Sequence, residues 1–327
     1  MQTLLAGPVV VAVLVGSTAA TAAVFLLLVL LRVTRKLTAR RAAALEQRTR
    51  SLILQATVAE PDEVESFARE LNSHGRAERA AAEKTILGLL VEVQGEAAES
   101  LTQLLEACGT IDRAVKDADA RDAVVRARAA EVLGLTAGPQ SLAPLLDLAV
   151  DPDVEVRIVA VRALGRTGNP SAVRPLLNAL RSDSGVPTTV AASALLNLAE
   201  HSGTAIDDGF TDPDAAVRRT TAQLAGYLQS PGAASRLITL LGDSDALVRQ
   251  AAARSLGQLH GSAAIQPLFH RAMNDAVPAV RLAAAHALMQ LPEAWTFNVR
   301  TALATSTDPE VRYATAIWPQ NTEVKAQ

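Results

Sequence analysis

The sequence is poor in the residues on which many catalytic and metal sites depend. Its single cysteine, Cys108, can build neither a disulfide framework nor a thiolate metal cage, and it fits a reducing compartment. The five histidines are dispersed, and no phosphate-binding glycine loop, Gly-x-Ser-x-Gly elbow or His-Glu-x-x-His pair occurs. We therefore predict no catalytic residue, no metal site and no cofactor.

Aromatic residues and excess positive charge are also scarce. Aromatics make up 3% of the chain, and the formal net charge is −3. Proteins that bind nucleic acid usually present a basic surface, often interleaved with aromatic rings on which bases stack. Nucleic acid is therefore not an expected partner.

One long stretch near the N-terminus lacks charge altogether. Residues 4–31 contain no charged side chain. At about 1.5 Å per helical residue, such a run is long enough to cross a hydrocarbon core of about 30 Å. A cleaved secretory signal is the alternative, but Met1-Gln2-Thr3 lacks the basic segment that such signals carry. We predict a retained transmembrane anchor over residues 1–34.

A basic segment follows the uncharged run, and residues 35–60 are predicted to form a juxtamembrane helix. The basic side chains of this flank are Arg32, Arg35, Lys36, Arg40, Arg41, Arg48 and Arg50. The positive-inside rule then places the N-terminus outside and the rest of the chain in the cytoplasm, at the inner or plasma membrane. The flank can contact anionic lipid headgroups, or it can serve only as the stop-transfer cluster of the anchor.

The charge changes sign after the basic flank. Residues 51–120 carry fourteen acidic and six basic side chains, against a net of +6 before them. Helices are predicted there near 62–73, 77–94, 97–108 and 110–120. One hypothesis is that the two oppositely charged segments attract each other, which would make the protein an autoregulated adaptor at the membrane surface.

A Val-Arg step recurs through the rest of the chain. Successive arginines of this step lie 31, 61, 31, 32 and 31 residues apart, and such a period is typical of a solenoid. The copies are Val125-Arg126, Val156-Arg157, Val217-Arg218, Val248-Arg249, Val280-Arg281 and Val311-Arg312.

Each copy has the pattern of a helical hairpin. In the unit from Asp243 to Asp275, apolar residues at helical spacing precede Gly261, and a second apolar stripe follows it. The apolar face of one hairpin needs neighbours to bury it. The pairs Asp151-Pro152, Asp212-Pro213 and Asp308-Pro309 predict helix starts with aspartate as the N-cap and proline at the first helical position.

The recurring arginines are predicted to be structural. Aspartate stands four residues before the arginine in five of six copies, which is a favourable spacing for an ion pair on a helix. We predict that the arginines form a ladder that links neighbouring repeats, and not a row that binds ligand.

The Asp-Pro start, the Val-Arg step, the alanine run as in Ala251 to Ala253 and the Leu-Gly end resemble HEAT repeats. In particular, they are similar to the HEAT-like repeats associated with phycobilisome lyases. The better copies cover 122–183 and 212–291, with a half copy at 307–318. The resemblance implies an all-α solenoid of stacked hairpins that serves as a binding scaffold. It also implies an alternative, a lyase-like enzyme that handles a bilin, for which the chain offers no convincing nucleophile.

The predicted order of segments is therefore the anchor at 1–34, the basic helix at 35–60, diverged acidic repeats at 61–121, HEAT-like repeats at 122–318 and a polar tail at 319–327. The copy at 184–211 is degenerate, because Pro187 and Thr188 replace Val-Arg and Asp207-Asp208-Gly209 is poor helix material.

The predicted second helices supply candidate partner-binding residues that could line one concave face. They are Arg174, Arg181, Arg236 and Arg271. With acidic residues nearby, such a face favours a protein partner over a phosphate backbone. We expect a membrane-associated enzyme or transport assembly as that partner.

Overall fold

A computed structural model describes residues 61–202, 206–230, 232–291 and 297–316, with Phe25, Leu26, Val29, Arg32, Ile53, Leu54 and Ala56 as single residues. This part of the chain is helical and contains no strand, so the all-α prediction is confirmed. None of its helices is both long and apolar enough to cross a membrane. The predicted anchor, basic helix and polar tail lie almost wholly outside the described residues.

The chain divides into two compact units between Thr110 and Ile111. The N-terminal unit contains α1 (Pro61–Ser73), α2 (Arg76–Leu90) and α3 (Glu96–Ala107), and α4 (Thr110–Asp117) begins at the division. These four helices confirm the sequence prediction, although α2 ends four residues early and α4 ends three residues early. Helices α1, α2 and α3 pack through apolar stripes, which include Val64 and Leu71 on α1, Ile86 on α2, and Leu101 and Leu104 on α3.

The C-terminal unit repeats one pattern of two helices. Repeat I comprises α5 (Ala123–Thr136) and α6 (Leu142–Leu148), and repeat II comprises α7 (Val154–Leu164) and α8 (Val173–Ala179). Repeat III has α9 (Thr188–Ser202) and a short 3-10 turn, Asp207–Thr211. Repeat IV is α10 (Ala215–Tyr227) with α11 (Ala233–Leu240), and repeat V is α12 (Ala246–Gln258) with α13 (Ile265–Asn274). Repeat VI is α14 (Pro278–Gln290) with α15 (Phe297–Ala304), and α16 (Pro309–Ala316) follows.

The first helices of neighbouring repeats pack directly against each other. Glycine near the end of one first helix faces a small residue of the next, as Gly134 faces Ala163 and Gly165 faces Ala194. The absence of a glycine side chain allows the two backbones to approach closely. Leucines of the second helices, such as Leu176 and Leu237, are fully buried beneath this row.

Aspartate begins most first helices, but at a position that differs from the prediction in two of three cases. The N-caps of α7 and α10 are Asp153 and Asp214, which accept hydrogen bonds from Glu155 N and Ala216 N. The predicted caps Asp151 and Asp212 lie two residues earlier, because the second aspartate of each Asp-Pro-Asp sequence is available to cap. Only Asp308, which has no second aspartate after it, caps its helix directly, through Glu310 N at 2.8 Å.

Repeat III departs from the pattern as its sequence predicts. Its second helix is reduced to the 3-10 turn, in which Gly209 and Phe210 are buried. Its first helix carries Thr188 at the ladder position, so no ladder arginine is available for Asp212 of repeat IV. Arg181, two residues after the second helix of repeat II, donates to Asp212 Oδ2 at 2.9 Å instead. A residue from outside the ladder thus supplies the missing link.

Candidate functional site

The ladder arginines join each repeat to the next. Arg218 donates from Nε and Nη2 to the two carboxylate oxygens of Asp243 at 2.7 and 2.9 Å. Its remaining Nη1 donates to the carbonyl oxygens of Asp212 and Pro213 in its own repeat. The same bidentate arrangement holds for Arg126 with Asp151 and for Arg249 with Asp275. The predicted structural ladder is confirmed.

The carboxylate partners, however, differ from those that the sequence suggested. The aspartates four residues before the arginines, such as Asp245 before Arg249, accept backbone N–H groups at the helix start. The paired carboxylate comes from the beginning of the following repeat, because the arginine fork points across the inter-repeat boundary. Arg157 has no such aspartate, and its Nε donates to the carbonyl oxygen of Ser184 at 3.0 Å.

These ion pairs lower the pKa of the ladder aspartates. The hydrogen bond from Arg126 holds the pKa of Asp151 below its usual value, and the bond from Arg218 does the same for Asp243. In both cases burial opposes the shift without cancelling it. The ladder aspartates are therefore held ionised. In Asp243, both carboxylate oxygens accept a hydrogen bond from Arg218.

The lowered pKa values predict acid sensitivity of the fold. A carboxylate whose pKa is lower in the folded than in the unfolded chain contributes stability that is complete above the ordinary aspartate pKa of about 4. That contribution is lost as the pH falls through the lowered value. We expect the free energy of unfolding to be nearly constant from neutral pH to about 5 and to decrease steeply below about 4.

Urea denaturation at a series of pH values, followed by circular dichroism, measures this dependence. Arg218→Met returns the pKa of Asp243 toward its ordinary value, so the acid slope of the variant is expected to be shallower. Arg254→Met is the matched control, since Arg254 has no carboxylate partner among the described residues. Equal slopes for the two variants would contradict the prediction.

Three of the four arginines predicted to bind a partner lie on second helices, namely Arg174, Arg236 and Arg271, and Arg181 follows the end of α8. Arg174 on α8 is exposed. Arg181 is held by Asp212, and Arg271 lies 3.4 Å from Asp275 Oδ2. Arg236 pairs with Asp207 and stands 5.7 Å from the centroid of the Phe210 ring. Three of the four thus have carboxylate partners inside the chain, and their role in binding stays a prediction.

A groove of about 390 Å³ lies instead on the surface of the first helices. We call it the first-helix groove. It crosses α9, α10 and α12, so three consecutive repeats contribute to it. Its lining consists of Thr188, Thr189, Ala192, Arg219, Thr220, Gln223, Leu247, Gln250, Ala251 and Arg254.

The chemistry of the first-helix groove is cationic and hydrogen-bonding. No aspartate or glutamate is among the residues that line it. Neither Arg219 nor Arg254 forms an ion pair within the described part of the chain. Gln223 is exposed, whereas the amide of Gln250 donates to Ala279 O at 3.4 Å. The described residues contain no group of three His, Cys, Asp or Glu that could hold a metal ion. The groove can therefore bind anionic and hydrogen-bonding groups.

Sequence reasoning did not identify these residues, although a signal for them exists. The residue directly after the ladder position is apolar in repeats I, II and VI, namely Ala127, Ile158 and Leu282. In repeats III, IV and V it is Thr189, Arg219 and Gln250. An alignment of the repeats at the Val-Arg step would have shown this change, which coincides with the extent of the groove.

Comparison with known families identifies the repeats. A family model described as HEAT repeats matches residues 111–199 and 208–289. No curated protein matches the sequence.

Solved structures with similarity to the chain include several helical proteins. Human deoxyhypusine hydroxylase is 19% identical, with 84% of this chain and 96% of that chain covered and a TM-score of 0.30. A Kap121p mutant is 13% identical, with coverage of 83% and 35% and a TM-score of 0.49. In the CpcE–CpcF complex of phycocyanin lyase from Nostoc sp., the matching chain is 19% identical, with coverage of 77% and 93% and a TM-score of 0.29. At such scores the likeness carries no information about what this chain binds.

Proposed function

The chain belongs to the HEAT-repeat family, whose model matches more than half of it, and on this premise we propose that it is a membrane-anchored scaffold that binds a protein in the first-helix groove. HEAT repeats form helical scaffolds, and protein–protein interaction is the function that this fold suggests. The location of the binding surface, the anchor and the kind of partner are our proposal.

The observation that carries the proposal is the extent and composition of the first-helix groove. Its lining runs over three consecutive repeats and offers donors from Arg219, Arg254 and Gln223 for which the described part of the chain supplies no acceptor. The ladder supports this surface, because Arg218 and Arg249 tie repeat IV to V and repeat V to VI. A binding surface held in place before the partner arrives loses less entropy on association.

The anchor and the location rest on the sequence. The uncharged run at 4–31 and the basic flank after it support a single-pass span with the repeats in the cytoplasm. A partner at the same membrane follows from that placement, and a membrane-associated enzyme or transport assembly fits it. The basic flank adds contact with anionic lipid headgroups.

The second-helix arginines define the competing surface. Arg174 is exposed and, unlike the other three, is not held by a carboxylate in the described part of the chain. If the partner binds there, substitutions at Arg174 change its recovery and substitutions in the first-helix groove do not.

Site-specific photocrosslinking of the full-length protein in its native host tests the proposal. A photoreactive amino acid replaces Gln223 in the groove or Arg174 on α8, and a version without residues 1–59 tests the anchor. We expect the photoreactive residue at position 223 to form a discrete protein adduct. This adduct should appear in the membrane fraction when residues 1–59 are present and should be absent from that fraction when they are deleted. An adduct from Arg174 alone would move the site to the second helices, and the absence of both adducts would overturn the scaffold.

A further inference from the structure

We propose that the first-helix groove recognises an extended segment of its partner that is rich in aspartate and glutamate. This inference rests on the proposed function and specifies the chemistry of the same groove.

The groove contains positive charge that no carboxylate of the described residues pairs. Three of the ladder arginines have a carboxylate fixed by two hydrogen bonds, and Arg181, Arg236 and Arg271 have acidic neighbours. Arg219 and Arg254 have none among the described residues, although both line one groove. The arginine fork matches the geometry of a carboxylate, as the pairs of Arg126, Arg218 and Arg249 show within this protein.

The neighbouring first helix extends this positive charge. Arg162 on α7 occupies the position five residues after its ladder arginine, as Arg254 does on α12, and it is exposed. Ser193 and Gln223 occupy the same position on α9 and α10, so no acidic side chain interrupts this row from α7 to α12. An acidic segment that crosses the first helices would therefore meet Arg162 at one end of this row and Arg254 at the other.

The neutral residues favour a peptide over nucleic acid. Gln223, Gln250 and Thr189 offer donors and acceptors that suit the amide groups of an extended backbone. No aromatic ring lines the groove, so bases would find no stacking platform. Three helices at a spacing of about 10 Å span about 20 Å, which accommodates about six residues of extended chain.

Fluorescence anisotropy with the full-length protein in non-ionic detergent tests the inference. The probe is a labelled peptide in which glutamate alternates with alanine, and the peptide with lysine in place of glutamate is its control. We expect saturable binding of the glutamate peptide only, weakened by salt. Arg254→Gln should weaken it about tenfold, because hydrogen bonds between charged groups contribute at least that factor. The double variant Arg219→Gln/Arg254→Gln should abolish it.

Arg174→Gln is the matched variant and should bind the peptide as the parent protein does. The helical melt is expected to be unchanged in all variants, because none of the substituted side chains is in the core. Equal affinity for the lysine peptide, equal affinity of the double variant, or tighter binding of a labelled oligothymidylate would each overturn the inference.

Photocrosslinking from Gln223 in the double variant separates this inference from the proposed function. Loss of the adduct agrees with recognition of acidic side chains. An adduct that persists, together with failure of the glutamate peptide to bind, would retain the groove as a protein-binding site and would reject the acidic segment.

Discussion

Replacing Asp275 by asparagine is expected to destabilise the C-terminal unit by about 3–5 kcal/mol, because the substitution leaves Arg249, whose side chain is only 11% exposed, without its counter-ion. The Asp275 side chain is 0% exposed, and Arg249 donates to both of its carboxylate oxygens at 2.9 Å. Arg271 Nη1 lies 3.4 Å from one of the same oxygens. Asparagine preserves the volume but offers a single acceptor oxygen and no charge.

The loss should be concentrated at the boundary between repeats V and VI. In a stack of repeats, stability is approximately a sum of repeat terms and terms for each interface between neighbours. Arg249 belongs to repeat V, and Asp275 begins repeat VI and also accepts the backbone N–H of Val277 at 3.0 Å. Hydrogen exchange should therefore show the largest loss of protection in α14 and the helices after it.

Asp245→Asn makes the same chemical change at a site where it should alter the free energy of unfolding only slightly. Asp245 caps α12 through Leu247 N and Val248 N, and asparagine is an equally good N-cap. Urea denaturation monitored by circular dichroism should give a free energy of unfolding within about 0.5 kcal/mol of the parent protein for this variant. If the two variants were equally stable, the ladder would contribute no energy to the interface.

The ladder shows how far sequence reasoning reaches in this protein. The 31-residue period of the Val-Arg step predicts the hairpins and the structural role of the arginines, because each copy needs the same contacts with its neighbours. It does not predict the partner of Arg249, since Asp245 and Asp275 are both aspartates near a repeat start. The choice between them depends on which way the guanidinium points, and only the packed hairpins determine that direction.

The candidate site was less accessible from the sequence for a similar reason. Exposed arginines on second helices and on first helices have the same appearance in a single sequence. The ion pair of Arg181 with Asp212 arises because Thr188 leaves Asp212 without a ladder arginine, a compensation between residues 31 positions apart. Arg219 and Arg254 become notable only when the groove shows that no carboxylate lies beside them.

Substituting Gly165 by alanine is expected to destabilise the C-terminal unit by about 1–3 kcal/mol, the usual cost of an extra methyl group in a packed interior. A Cβ atom at this position would lie 2.6 Å from Ala194 Cα and 2.8 Å from the Ala194 carbonyl oxygen. These are backbone atoms of the neighbouring first helix, so no side-chain rotation relieves the contact. The helices α7 and α9 would have to separate, which weakens the packing of repeat II on repeat III.

Two other glycines provide controls for this substitution, with denaturation by urea as the measurement. Gly88 follows a leucine as Gly165 does, yet a Cβ atom there would have no neighbour within 4 Å, and the same is true of Gly261 in repeat V. Gly88→Ala lies inside a helix and should stabilise its unit by up to about 1 kcal/mol. Gly261→Ala should be neutral or slightly stabilising within the same unit as Gly165, because alanine restricts the unfolded chain. If Gly165→Ala behaved like these two, the first helices would be free to adjust, and the rigid support that we assign to the first-helix groove would be wrong.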